Sequence, residues 1–340
     1  MAVLNRLNAR YGPALEAELR SAVPDDGTLL SRMVAYHLGW VNAEGRPAAA
    51  DPGKRLRPLL MLLACEGVGG DWQKALPGAA ALELVHNFTL IHDDIQDRSP
   101  ERRHRPAVWV LWGANQATNA GDGLFALAFR KLADLAGRGV APEVALEGAR
   151  MLAEACWVVC QGQVADLELA ARPTATLDEY FEMVRRKTGA LIGAAVGMGV
   201  LVGGSPGVTA AREFGEALGV AFQVWDDYLG IWGRPEATGK PAGEDLRERK
   251  KTLPVVWALT AGPPDLRDRL AEAYAGAELG PDDAAELAAR LAQAGAEAFT
   301  RRTAAEWAER ASRLLAGLPF RPEVRADFAE LIEFIFSRQF

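Results

Sequence analysis

The stretch LVHNFTLIHDDIQDRSPERRHRPAVW, residues 84–109, sets three aspartates, Asp93, Asp94 and Asp97, almost side by side and follows them with Arg102 and Arg103. The residues leading into it, AAALELVHNFTLIHDDIQD, repeat their apolar positions at helical spacing, so Asp93 and Asp97 at i and i+4 share one helix face a turn apart. Like charges at that spacing repel unless something neutralises them. A hard cation does so: magnesium takes oxygen ligands, keeps several waters, and is commonly held by one or two carboxylates together with substrate phosphates. Arginine binds phosphate through two parallel N–H groups. Carboxylates and guanidinium groups in this order therefore point to a metal-bridged phosphate site.

The same grammar recurs. GVAFQVWDDYLGIWG places Asp226 and Asp227 at the end of an apolar helical run, and TGKPAGEDLRERKKTLP beyond it reads as a glycine-bearing loop whose Lys240 and Lys250 reach an anion. Earlier, DPGKRLRP offers Lys54, Arg55 and Arg57 just ahead of a helix expected to begin near Pro58. Of the 38 basic residues only seven are lysine, and five of those, Lys54, Lys187, Lys240, Lys250 and Lys251, fall in these stretches or in RKTGALI. Two acidic clusters with several basic ones imply a site for two polyanions, at least one held through metal.

The elements that must position these groups are helices. Alternation of apolar and polar residues rarely persists, while the 3.6-residue period recurs. Thr176-Leu177-Asp178-Glu179 is a capping-box pattern opening a helix that should run past Lys187. Residues 189–202 are apolar throughout and glycine-rich, which predicts a helix buried on all sides rather than a membrane span. Val324, Phe328, Leu331 and Ile335 make an apolar stripe behind Pro319 and Pro322, so an amphipathic helix closes the chain. Breakers near 66–78, 203–208, 233–243 and 261–264 separate helices, and none is long enough for a linker. We expect one all-α domain over residues 1–340, with its motifs between about 50 and 255.

With 340 residues, 49% of them hydrophobic, the chain can bury a large core. A net charge of −7 excludes a broad nucleic-acid surface. No signal-peptide pattern opens the chain, and Cys65, Cys156 and Cys160 lack metal-ligand spacing, so we expect buried, reduced thiols and a cytoplasmic location.

The ordered blocks GKRLRP, LVHNFTLIHDDIQD, RRHRPAVW, RKTGALI, FQVWDD and GKPAGEDLRERKKTLP resemble the trans-isoprenyl diphosphate synthases, the polyprenyl synthetase family with its DDxxD motif. The resemblance implies a single-domain antiparallel helical bundle around a deep central cavity, usually homodimeric, with the two aspartate motifs across its mouth. It implies a magnesium-dependent prenyltransferase, with three ions, joining isopentenyl diphosphate to an allylic diphosphate. By matching positions, Lys54, Arg57, His86 and Arg103 hold isopentenyl diphosphate, while Arg102, Lys187, Thr188, Gln223, Lys240 and Lys250 hold the allylic diphosphate. Asp93, Asp97 and Asp226 resemble the metal ligands, supported by Asp94 and Asp227. Catalysis falls to Asp93, Asp97, Asp226, Lys187 and Arg102.

Gly230 stands where many members have the last aspartate of the second motif, and His104, Ala107 and Pro52 replace a glycine, a threonine and a glycine. His92 adjoins the acids and His37 lies outside every motif. A growing product should run from the aspartates down their own helix, placing Thr89 and Phe88 roughly 6 to 7.5 Å deeper. Phe88 as a floor and Thr89 as the space beside it predict a product of twenty carbons. A class I terpene cyclase and a non-catalytic modulatory subunit are the competing readings.

Overall fold

A computed structural model describes residues 2–233, 243–275 and 279–337, with side chains to Ile335, so Lys240 lies outside the described residues. The chain is all-α. Among the described residues the only strands are two-residue pieces, Glu101–Arg102 (β1) and Arg105–Pro106 (β2), a hairpin that the sequence pattern did not announce. The chain divides into two compact units. The first comprises Met1–Ala153, Ala195–Val208 and Pro319–Val324; the second comprises Glu154–Ala194, Thr209–Leu318 and Arg325–Phe340.

In the first unit α1 (Ala2–Ala22), α2 (Leu29–His37), α3 (Leu56–Gly67) and α4 (Trp72–Gln96) precede the hairpin, and α5 (Val108–Trp112) and α6 (Ala114–Gly137) follow it. α3 begins beside Pro58, as expected. The breakers near 66–78 mark a shorter interruption than their composition suggests. Asp71 caps α4 by accepting the Gln73 N–H at 3.0 Å, and Pro77 and Gly78 lie inside the helix. A small residue lets Met61 of α3 press in at Gly78.

α7 (Pro142–Ala171) leads to α8 (Leu177–Val184), whose capping box is formed: Thr176 Oγ1 accepts from the Glu179 N–H, and the Glu179 carboxylate accepts from that of Thr176. The helix continues past Lys187, but through a π-turn at Arg185–Gly189 before α9 (Ala190–Val202). Residues 191–200 of α9 are all buried, and no described helix is long and apolar enough to cross a membrane. α10 (Val208–Trp232) and six further helices complete the described chain: α11 (Glu244–Arg247), α12 (Leu253–Ala261), α13 (Pro264–Ala275), α14 (Pro281–Ala294), α15 (Ala296–Ala316) and α16 (Pro322–Ser337). The stripe of α16 is buried, with Phe328 edge-on to Phe214 at 5.2 Å. Asp226 and Asp227 sit within α10, more than a turn before its end, because the apolar periodicity resumes at Ile231. Cys65 and Cys156 are buried as expected, whereas Cys160 is exposed, since residue 160 falls on the outer face of α7 with Trp157 and Val164.

Candidate active site

The first unit assembles a basic cluster against one end of α4. Asp97 caps that helix, and its N–H donates to the Asp93 carbonyl at 2.8 Å, so the i, i+4 relation of the two acids is real. Asp93 is half-buried and Asp97 exposed. Asp94, on another face, is 1% exposed; its Oδ1 accepts from Arg102 Nε at 3.0 Å and again from Nη2, while Oδ2 meets no hydrogen-bond donor. Burial raises the Asp94 pKa and Arg102 pulls against that rise.

The hairpin turns at Arg103 and His104 with φ of 53° and 59°, left-handed conformations that suit glycine or asparagine in a two-residue turn. His104 in place of a glycine costs of order 1 kcal/mol. Arg105 anchors the hairpin by donating to the carbonyls of Tyr36 and Val41 at 3.1 and 2.8 Å and lying over the Tyr36 ring. Arg103 faces Asn87, whose Oδ1 is 3.5 Å from Nη2, and burial lowers its pKa against the pull of the Glu83 and Asp51 carboxylates.

Arg57 Nη1 lies 3.1 Å from His86 Nε2. Arginine only donates, so Nε2 accepts and the His86 proton sits on Nδ1. Burial, then Arg57 and Arg103, hold His86 well below the usual imidazole range, and it is neutral at pH 7. Lys54 is exposed and precedes Arg55, which enters α3 with φ 47° and pairs with Glu16.

The structure adds His37, Asp51, Glu83 and Asn87, which motif spacing did not flag. His37, Asp51 and the arginines at 102, 103 and 105 line one small cavity. His37 is buried and held down to about 3, first by burial and then by Arg103 and Arg102. Both amide hydrogens of Asn87 are spent on Glu83, on its carbonyl at 2.8 Å and on Oε1 at 2.9 Å. Asn87 is thus left with only the acceptor Oδ1 to offer, and Nε2 of buried His37 meets no hydrogen-bond partner. Glu83 and Asn87 did carry a signal: polar residues four apart inside an otherwise apolar run. His37 carried none.

Deeper on α4, Phe88 is 8% exposed and meets His92 and Phe125 of α6 edge-on at 5.5 and 5.2 Å, and Phe125 meets Phe129 at 5.0 Å. His92 lies 3.3 Å from the Thr118 carbonyl. Thr89 turns its hydroxyl onto the His86 carbonyl at 2.8 Å, presenting its methyl elsewhere.

In the second unit Lys187 rides on the π-turn, and such single turns are frequent at functional sites. Its Nζ is 2.5 Å from Asp166 Oδ2 on α7, a partner the sequence reading passed over. Gly162, one turn before Asp166, is required: a Cβ there would stand 2.3 Å from the Lys187 nitrogen. From Thr188 a chain of hydrogen bonds runs through Gln223 Oε1 (2.8 Å) and Gln223 Nε2 to Asp227 Oδ1 (2.9 Å). Asp227 Oδ2 accepts from the Tyr180 hydroxyl at 2.5 Å and the Leu253 N–H at 2.8 Å. Burial drives Asp227 up to about 7 against those hydrogen bonds. Asp226 beside it is half-buried. Lys250 reaches Glu248 at 2.5 Å and Asp245 at 4.0 Å, while Lys251 is buried and donates to the Ala170 carbonyl.

Both acidic doublets thus split, with Asp94 and Asp227 taken into internal hydrogen bonds and Asp93, Asp97 and Asp226 reaching outward. Among the described residues no three His, Cys, Asp or Glu side chains gather as a metal cage. Paired oxygen donors without a full cage fit magnesium, which keeps waters and takes its remaining ligands from phosphate.

The sequence pattern of the polyprenyl synthetase family matches residues 40–291. A (2E,6E)-farnesyl diphosphate synthase of Mycobacterium tuberculosis is 41% identical over 319 residues, covering 90% of this chain and 86% of that protein. A geranylgeranyl diphosphate synthase of the same organism is 40% identical over 320 residues, covering 94% and 88%. A polyprenyl synthetase crystal structure from Streptomyces coelicolor matches with a TM-score of 0.88 at 38% identity, over 98% of each chain. The chain belongs to the polyprenyl synthetase family, the all-α trans-isoprenyl diphosphate synthases, and is a prenyltransferase of that class.

Proposed function

We propose that this enzyme joins isopentenyl diphosphate head-to-tail to an allylic diphosphate and stops at a short prenyl chain. The observation that carries the reading is the opposite fate of neighbouring acids in each doublet. One, Asp94 or Asp227, is buried and taken into internal hydrogen bonds, and the other, Asp93 or Asp226, stays only half-buried.

Lys54, Arg57, His86 and Arg103 hold isopentenyl diphosphate, with neutral His86 donating from Nδ1. Arg102, Lys187, Thr188, Gln223, Lys240 and Lys250 hold the allylic diphosphate. Asp93, Asp97 and Asp226 are the carboxylates for magnesium, three ions with substrate bound, and Asp94 and Asp227 steady them from within. The metal supplies Lewis-acid neutralisation of charge on the departing diphosphate. The allylic C–O bond breaks with its electrons on oxygen, where Arg102 and Lys187 stabilise the growing charge. The isopentenyl double bond then attacks the allylic carbon, a proton leaves the neighbouring carbon for the released diphosphate, and the double bond re-forms. Apolar walls around Phe88 exclude water from the cation.

Relatives that match this chain to similar degrees carry product names of fifteen, twenty and twenty-five carbons, so family likeness leaves length open. The Phe88 floor supports twenty. Phe88→Ala should lengthen the product by opening the path beside Phe125, at a stability cost of about 3–5 kcal/mol. An unchanged product distribution from an active, folded variant would remove the floor.

Trp157, Val164 and Leu167 form an exposed apolar row on α7 that supports a homodimer, and the absence of a spanning segment among the described helices supports the cytoplasm. The direct test is incubation with magnesium, isopentenyl diphosphate and each allylic diphosphate in turn, followed by sizing of the product alcohols. No elongation from any starter would overturn the reading.

A further inference from the structure

A second cavity lies in the first unit, and none of the residues assigned to either diphosphate lines it. Its volume is about 410 Å³, within the range of small-molecule pockets, and it is lined by the end of α1, the turn after it, α2 and the loop at 40–45. The wall is of two kinds. Val23, Pro24, Ala35 and Val41 supply apolar surface, and Arg20 and Arg32 supply positive charge against one acid, Asp25. Thr28 caps α2, its Oγ1 accepting the Ser31 N–H at 3.3 Å, and both residues line the cavity. The start of a helix, with its free N–H groups and dipole, favours an anion.

Trp40 gives an independent indication. It is 9% exposed and part of the same wall, and its indole N–H meets no acceptor. A buried donor without a partner is costly, and tryptophan N–H groups usually find one. Arg20 lies over the Trp40 ring at 4.7 Å and donates from Nε to Glu16 Oε1 at 2.6 Å. The second oxygen of Glu16 meets Arg55 at 2.5 Å, where the chain enters α3 in a left-handed conformation between Lys54 and Arg57. One carboxylate thus joins the cavity wall to the entry of α3.

We propose that this cavity binds a small amphiphilic anion, a carboxylate on a short apolar body, and that its occupancy is felt at α3 through Glu16. The head sits between Arg20, Arg32 and the start of α2 and accepts the Trp40 N–H, while the body rests on Val23, Pro24 and Val41. Two guanidinium groups against one acid leave a single net positive charge, which suits one carboxylate. Arg20, drawn to the head, releases Glu16 to Arg55 alone, and the entry of α3 is held more firmly. Binding stands on the cavity itself; only the effect on isopentenyl diphosphate rests on the proposed function.

The probe is octanoate, titrated calorimetrically into the full-length protein, with octanol as the uncharged control. Octanoate should bind, and octanol should bind about tenfold more weakly or not at all. Trp40→Phe, which keeps a ring and removes the N–H, and Arg32→Gln should each weaken octanoate about tenfold, with turnover in its absence unchanged. No binding to wild type, or binding that both variants leave within twofold, would overturn the site. Displacement of octanoate by inorganic pyrophosphate would overturn it too, by placing the probe among the diphosphate residues. In the kinetic arm, saturating octanoate should lower the KM for isopentenyl diphosphate about fivefold, the low end of coupling between sites, at unchanged kcat. Glu16→Gln should abolish that response while octanoate still binds. An unaltered KM in wild type would overturn the link to α3. If wild type makes no product from any starter, the proposed function fails instead, and the calorimetry still decides the site.

Discussion

Asp94 and Asp227 are both second members of an aspartate doublet and both are buried, yet the two units neutralise them by different means. Asp94 meets the guanidinium of Arg102, charge against charge, with one oxygen left bare. Asp227 meets a hydroxyl, an amide and a backbone N–H, three neutral donors that use both oxygens. A cation keeps an anion ionised and is itself aimed by the contact; neutral donors leave burial to win, and Asp227 rises to about 7. The first doublet thus fixes the direction of a phosphate-binding arginine. The second fixes three elements together, α8, α10 and the start of α12.

The largest expected effect breaks the charged arrangement. Arg102→Ala leaves the Asp94 carboxylate buried without its cation and should cost about 3–5 kcal/mol, whereas Tyr180→Phe removes one neutral hydrogen bond and should cost about 1–3 kcal/mol. Urea titrations of both variants would show it, and equal losses would erase the distinction. Asp93→Ala separates outward from inward acids: kcat should fall on the order of 10²–10³-fold, the scale of a lost transition-state contact, with the melting temperature nearly unchanged. Chelation should abolish turnover in wild type.

Lys54→Ala and Lys187→Ala then compare the units by substrate. Each removes a charged contact worth about 1.5–3 kcal/mol, the first raising the KM for isopentenyl diphosphate and the second that for the allylic substrate. Steady-state kinetics with crossed effects would reject the assignment.

The smallest effect is a pH dependence that belongs to Asp227. Its folded pKa, about 7, lies above the ordinary value of 3.8, so the native state holds a proton the unfolded chain has released. That contribution is full below the unfolded value and is lost as pH rises towards 7. Asp227→Asn, with the Gln223 amide turned over, should flatten the decline in melting temperature across that window. An unaltered slope would place the titration elsewhere.

Much of this was legible in the chain. Helices announce themselves by period, and the outward acids by the i, i+4 repulsion that needs an external answer. The split within each doublet was not legible, because adjacent residues on a helix point in directions about 100° apart and sequence does not say which direction is inward. His37 was out of reach for another reason: it joins Asn87 and the arginines through tertiary packing, far from any spacing rule. The hairpin escaped because left-handed Arg103 and His104 replace the glycine that normally signals such a turn.

The π-turn at Arg185–Gly189 closes over one residue more than an α-helix would need. It is the footprint of a single-residue insertion accommodated without breaking the rod. Upstream, the helix keeps its phase with the capping box at Thr176; downstream, the glycine-rich segment keeps its own. The surplus is absorbed at the turn that carries Lys187 and Thr188. Removing any one residue there would let the helix regularise with both ends still in phase, and the widened turn that carries Lys187 and Thr188 would be lost. Lys187 would leave Asp166 and Thr188 would leave Gln223 together. This segment can tolerate exchange of side chains far better than any change of length.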